Sequence, residues 1–110
     1  MVGVNGLQRG EIWLHQFASP DKRRPVVVLS RPQVLQLLRT AVVAQVTSTI
    51  HGSPSEVIVG IEEGLKAPSA INLDNVHTVD QRSLRHYVGA LSEEKMRQVC
   101  RALAIATGCA

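Results

Sequence analysis

Residues 22–30, Lys22-Arg23-Arg24-Pro25-Val26-Val27-Val28-Leu29-Ser30, set three cations directly against a continuous apolar, largely β-branched run. Such a run reads as a strand covered on both faces, and proline is tolerated at its first position. A chain that contains it must build a sheet with something packed on each side. Arg24 is then delivered from the entrance of a rigid core element. Its planar fork matches phosphate oxygens, so a guanidinium fixed there is suited to reading an anion. The same residues also read as a basic turn that keeps a hydrophobic edge soluble, the simpler reading of this stretch by itself.

A chain of 110 residues supports one domain with its own core, here residues 1–110 with 1–8 as a loose lead-in. An apolar fraction of 45% excludes a disordered chain. The only aromatics are Trp13, Phe17 and Tyr87, so the core is aliphatic, and the count argues against a single-strand binder that works mainly by stacking several bases on aromatic platforms. Charge is uneven. Residues 21–39 hold five Lys or Arg against Asp21, a net of +4. Residues 40–80 hold Lys66 against five carboxylates, a net of −4, and residues 81–110 return to +3. A polyanion can dock on one basic face of such a protein, although sign alternation on an ordinary surface gives the same count.

Cys100 and Cys109 are too few for a disulfide scaffold and lack the spacing of a zinc site. Cys100 falls on an apolar helix face and is expected to be a small core residue. No apolar run reaches membrane-spanning length, and the N-terminus lacks a signal-peptide profile, so a reduced cytoplasmic protein with no membrane partner is expected.

Along the chain, residues 11–17 form a first strand with Ile12 and Leu14 on one face and Trp13, His15 and Phe17 on the other. Residues 18–23 make a short hairpin connection into the strand at 26–29. Ser30 caps a short helix opened by Pro32. A third strand covers residues 40–47 and ends in the hydroxyl cluster Thr47-Ser48-Thr49; residues 51–55 are a loop. Strands follow at 56–61 and 69–73, with 74–79 continuing or pairing with the latter. Residues 81–85 form a helical turn, and 87–91 a last strand. Ser92 caps the final helix, Glu93 pairs with Arg97, and Gly108 ends it. Short strands plus a terminal helix predict a mainly β, α+β fold, a small curled sheet or barrel.

His15, His51, His77 and His86 make no metal-ligand spacing, and there is no phosphate-binding loop, nucleophile elbow or dinucleotide fingerprint. No metal and no cofactor are expected. The remaining polar groups sit at strand ends: Arg24, Thr47-Ser48-Thr49, and residues 72–77. Asn72 and Asp74 share a strand face by period two, a pattern that the wet face of an edge strand also produces.

Taken together these segments resemble the MazF/PemK family of toxin endoribonucleases. The resemblance is carried by Arg9-Gly10-Glu11-Ile12-Trp13, the stretch from Arg24 to Ser30, Val43-Ala44-Gln45-Val46-Thr47-Ser48, the run from Ile71 to Asp80, and Val88-Gly89-Ala90-Leu91-Ser92. It implies a PemK/CcdB-like, SH3-like barrel with a short inserted helix and a C-terminal helix, working as a homodimer in the cytoplasm. It also implies sequence-specific, metal-independent cleavage of single-stranded RNA and inhibition by a cognate, MazE-like antitoxin. The family's catalytic arginine before proline falls on Arg24, and its catalytic threonine on Thr47. Ser48, Asp74, Asn75 and His77 are candidate substrate contacts, with Asp74 a candidate base backed by His77 and Asn75 a reader of a base edge. His15 and His86 match no motif and read as structural. Two departures stand out: Asn72 replaces an arginine that some members carry there, and the hairpin at 18–23 is short. Two other readings use the same fold. A gyrase poison resembling CcdB would need that family's Trp-Gly-Ile tail, which Thr107-Gly108-Cys109-Ala110 does not supply. A non-catalytic barrel would bind RNA or a peptide without cutting.

Overall fold

The computed structural model describes residues 6–16 and 23–109. Phe17 and most of the short hairpin lie outside them. Among the described residues one antiparallel sheet is formed by β1 (Glu11–Gln16), β2 (Arg23–Val28), β3 (Thr40–Thr47), β4 (Glu56–Val59), β5 (Ser69–Asp80) and β6 (His86–Ala90). The strand order is β4-β5-β3-β2-β1-β6. Helix α1 (Pro32–Leu37) joins β2 to β3, and α2 (Glu93–Thr107) closes the chain.

The valine run does what its chemistry requires. Val26, Val27 and Val28 are all fully buried, and alternation sends them to opposite sides. Val27 joins Ile12, Ala44, Val46, Ile71 and Leu73 under Val99 and Ala102 of α2. Val26 and Val28 join Leu7, Leu35, Ala41, Val43 and Leu84 in a second cluster, against which Trp13 packs. Each buried valine is worth about 1.5–3 kcal/mol of transfer free energy, so both clusters pin the register of β2. β2 starts earlier than the valines suggest. Arg23 and Arg24 pair with Gln16 and His15 of β1, while pairing with β3 begins only at Val26. Pro25 therefore precedes the β3 ladder, where its missing N–H costs nothing.

The sheet curls until its ends meet. A 3₁₀ turn at Ile61–Glu63 follows β4, and Gly64 and Gly89 let that turn press on β6. A Cβ on Gly89 would lie 2.0 Å from the Glu63 carbonyl oxygen, and one on Gly64 would lie 2.3 Å from that of Val88. Only glycine permits such an approach, and Gly64 also takes a φ of 95°. The other side of the β4 edge is blunted by Lys95, whose ammonium donates to the Ile58 carbonyl at 2.6 Å.

Several sequence expectations are corrected. Ser30 does not cap α1: Arg31 holds that position, and the buried Ser30 hydroxyl accepts the Val42 amide at 2.8 Å. The open C-terminal end of α1 is satisfied instead by Gln81, fully buried, whose Nε2 donates to the carbonyls of Leu35, Leu38 and Thr40. β4 ends at Val59 rather than 61 because Gly60 and the 3₁₀ turn intervene. The strands expected at 69–73 and 74–79 are one strand with a bulge: Ala44 pairs with Val76 and Gln45 with Asn72. The bulge reverses the faces. Ile71 and Leu73 enter the α2 core, while Val79, of the same parity, enters the second cluster. β5 is also not an edge strand in its first half, since β4 and β3 flank it there. On α2, Ser92 and Gly108 cap as expected, but Glu94, not Glu93, pairs with Arg97 and Arg101. Cys100 is exposed rather than buried, because the core-facing stripe runs through Val99 and Ala102.

Candidate active site

A cleft of about 720 Å³ opens where the curl closes, a size ordinary for ligand sites. β2 contributes Arg23, Arg24 and Pro25, β3 contributes Val46 and Thr47, and Ser48 follows. Leu14, the segment from Gly64 to Ala67, Ser69, Tyr87 and Val88 complete it. Among the described residues its lining carries three cations, Arg23, Arg24 and Lys66, and no carboxylate. Among the described residues no carboxylate pairs with Arg24. Unneutralised positive charge over an apolar floor attracts an anion and excludes a cation.

Register brings the two leading candidates together. Val26 pairs with Gln45, Val27 with Ala44 and Val28 with Val43. Arg24 and Thr47 lie just beyond that paired stretch, on neighbouring strands, and both line the cleft. Arg24 is also held on its other side by pairing with His15, so its backbone cannot drift. The Thr47 hydroxyl oxygen accepts the Thr49 amide at 3.1 Å, which turns its own proton away to donate elsewhere. The loop beyond is tied down by Glu56, whose carboxylate accepts from the amides of His51, Gly52 and Ser53 at 3.1, 2.8 and 3.2 Å.

Arg24, Thr47 and Ser48 line the cleft; Asp74, Asn75 and His77 do not. The β5 bulge is the reason. It breaks the alternation on which a shared face for Asn72 and Asp74 rested, and the Asp74 amide instead donates to the Asn72 side chain at 2.9 Å. The Asp74 carboxylate accepts the Ser55 hydroxyl and so braces the β3–β4 loop. Asn75 donates to Gln45 of β3. Lys66 and Tyr87 escaped sequence reasoning because only the curl delivers them. A smaller cavity of about 320 Å³ shares Leu14 and Arg23 with the cleft and adds Gln16, Ser83, Arg85 and His86, extending the basic surface past the rim. Among the described residues no cluster of three or more His, Cys, Asp or Glu is placed to hold a metal ion.

The model of the PemK-like, MazF-like toxin of type II toxin–antitoxin systems matches residues 8–107. The chain belongs to this family. "Probable endoribonuclease MazF5" of Mycobacterium tuberculosis is 43% identical over 104 residues, covering 92% of this chain and 93% of that protein. "Probable endoribonuclease MazF2" of the same organism is 33% identical over 104 residues, covering 94% and 100%. The structure of "Mycobacterium tuberculosis toxin MazF-mt6" superposes with a TM-score of 0.83 at 31% identity, over 91% of this chain and 98% of that one. A mycobacterial endoribonuclease solved in complex with its cognate antitoxin has a TM-score of 0.86 at 23% identity, over 94% and 97%, and so shares the fold.

In this PemK-like toxin His15 also departs from the surface norm. Burial, and secondarily the charge of His77, hold its imidazole below the usual value near 6.5. Its Nδ1 lies 3.0 Å from the Ser83 hydroxyl, and Arg24 faces it across the ladder. Below pH 6.5 the unfolded chain binds a proton that the fold resists, so stability must fall as pH drops from 6.5 through the lowered value. Thermal melts between neutral pH and about pH 5 are expected to show a decline that is shallower in His15→Gln. Parallel curves would leave the acid sensitivity with other groups.

Proposed function

We propose that this toxin is a sequence-specific, metal-independent endoribonuclease of single-stranded RNA. The observation that carries the proposal is that Arg24 and Thr47, from two strands, line one cationic cleft with no carboxylate among its described lining residues. A phosphodiester fits such a site, and the reaction demands little from protein nucleophiles. The ribose 2′-oxygen attacks the adjacent phosphorus, the bond from phosphorus to the 5′-oxygen breaks, and a 2′,3′-cyclic phosphate and a 5′-hydroxyl result. One proton leaves the 2′-hydroxyl and one reaches the departing 5′-oxygen. Arg24 neutralises the charge that grows on the non-bridging oxygens, an electrostatic role that its high pKa suits better than proton donation. Thr47 donates a hydrogen bond to the same phosphate, and Ser48 extends that contact. Asn75 reads a base edge of the substrate strand, while Asp74 and His77 support the strand that presents it.

The cognate antitoxin is then a partner whose acidic segment competes with RNA for this surface. Homodimerisation and a cytoplasmic location accompany the reading; among the described residues no helix is long and apolar enough to cross a membrane. A gyrase poison is not favoured, since the curated relatives are endoribonucleases by name. Purified protein is expected to cut a long RNA in excess chelator, leaving cyclic-phosphate and 5′-hydroxyl ends at one recurring sequence. RNA that is bound but intact would instead support the non-catalytic barrel. Intact RNA with gyrase trapped on cleaved DNA would support the poison.

A further inference from the structure

Tyr87 is 56% exposed, yet it is a large aromatic side chain lining the same cleft as Arg24 and Thr47. It pairs across the strands with Trp13, and the two rings meet edge to face at 5.6 Å and 79°. Trp13 is itself fixed, because its indole N–H donates to Glu11 at 3.1 Å and its body packs on the second core cluster. The Tyr87 ring is thus held on a strand by a braced neighbour while much of it stays open to solvent. Arg23, Arg24 and Lys66 bring positive charge to the cleft, and among the described residues that line it Tyr87 is the aromatic one.

We infer that Tyr87 is the platform on which one unpaired base of the substrate stacks, next to the phosphate held by Arg24. The inference rests on the RNA-cleaving reading and adds to it a base-binding subsite. A π-face accepts any base but favours purines by area, and a splayed single strand is the form of RNA that can offer one. The ring contact acts in substrate and transition state alike, so its loss should raise KM and leave kcat nearly unchanged.

The test uses the full chain and a short RNA containing the mapped cleavage sequence, with 2-aminopurine placed in turn at each nucleotide flanking the cut. Wild type is expected to quench the fluorescence at one flanking position. Tyr87→Leu, which keeps apolar bulk without a π-face, should lose that quench and raise KM roughly 5- to 100-fold. Tyr87→Phe should keep both within about threefold. Unchanged KM and quench in Tyr87→Leu would overturn the inference. So would an equal loss in Tyr87→Phe, which would assign the effect to the hydroxyl, or a loss that follows a changed oligomeric state in light scattering. If wild type cuts no RNA the activity reading falls, and 2-aminopurine placed in turn along an unpaired RNA then decides the stacking: a quench lost in Tyr87→Leu upholds it, and the lack of any such quench overturns it.

Discussion

Replacing Arg24 with alanine is expected to slow RNA cleavage by about 10²- to 10³-fold, the size of losing one preorganised charge-stabilising donor. Unfolding free energy should stay within roughly 0.5 kcal/mol, since the side chain forms no ion pair among the described residues and lies at a cleft rim. It should move upward if anywhere, because Arg23 and Lys66 lose a like-charged neighbour. Arg24→Lys keeps the charge but not the two-pronged donor, so it should recover only part of the rate. Thr47→Ala should cost less, a neutral donor being about half as strong as a charged one. Single-turnover kinetics alongside urea melts separates these effects. An Arg24→Ala protein that cuts RNA at the wild-type rate would remove the mechanism.

The second large effect concerns the closure of the curl. Gly89→Ala is expected to destabilise the fold by about 3 kcal/mol, read from the urea midpoint at constant slope. The new Cβ would meet the Glu63 carbonyl at 2.0 Å, and both groups belong to backbone, so neither can rotate away. Gly64→Ala should be at least as damaging, because it adds a side chain at a φ of 95° to a clash with the Val88 carbonyl at 2.3 Å. By contrast, nothing lies within 4 Å of the position a Cβ would take on Gly52, leaving only the backbone strain of its positive φ. The consequence reaches the site. Gly64, Val88 and Tyr87 all line the cleft, so parting the 3₁₀ turn from β6 should also weaken RNA cleavage by the folded fraction. Alanine variants as stable as wild type would mean that the curl does not depend on this contact.

These two experiments probe residues of different legibility. Arg24 and Thr47 could be named from the chain because each belongs to a local pattern: a cation against proline and a valine run, and a hydroxyl cluster ending an apolar strand. The bounds of β3 and the caps of α2 were readable for the same reason. Gln81 carried no such signal. A glutamine beginning a helical turn is ordinary, and its value lies in carbonyls about 41 to 46 residues away. Asp74 was misjudged because period two was carried across a bulge. Cys100 falls outside the stripe because α2 buries Val99 and Ala102 and packs Met96, Leu103 and Ala106 on the core, which leaves Cys100 exposed beside it. Lys66 and Tyr87 entered the site only through the closure.

Local chemistry along the chain dictates a sheet covered on both faces, a capped terminal helix and an arginine fixed at the head of a buried strand. Those follow from hydrophobic period, capping and turn chemistry, which act over a few residues. Long-range packing is what makes Arg24 and Thr47 share a cleft, turns β5 to its other face at the bulge, and joins the ends of the sheet at Gly64 and Gly89. Those depend on register and on contacts between distant segments, where a single residue of slip exchanges the two faces and no local pattern records the outcome.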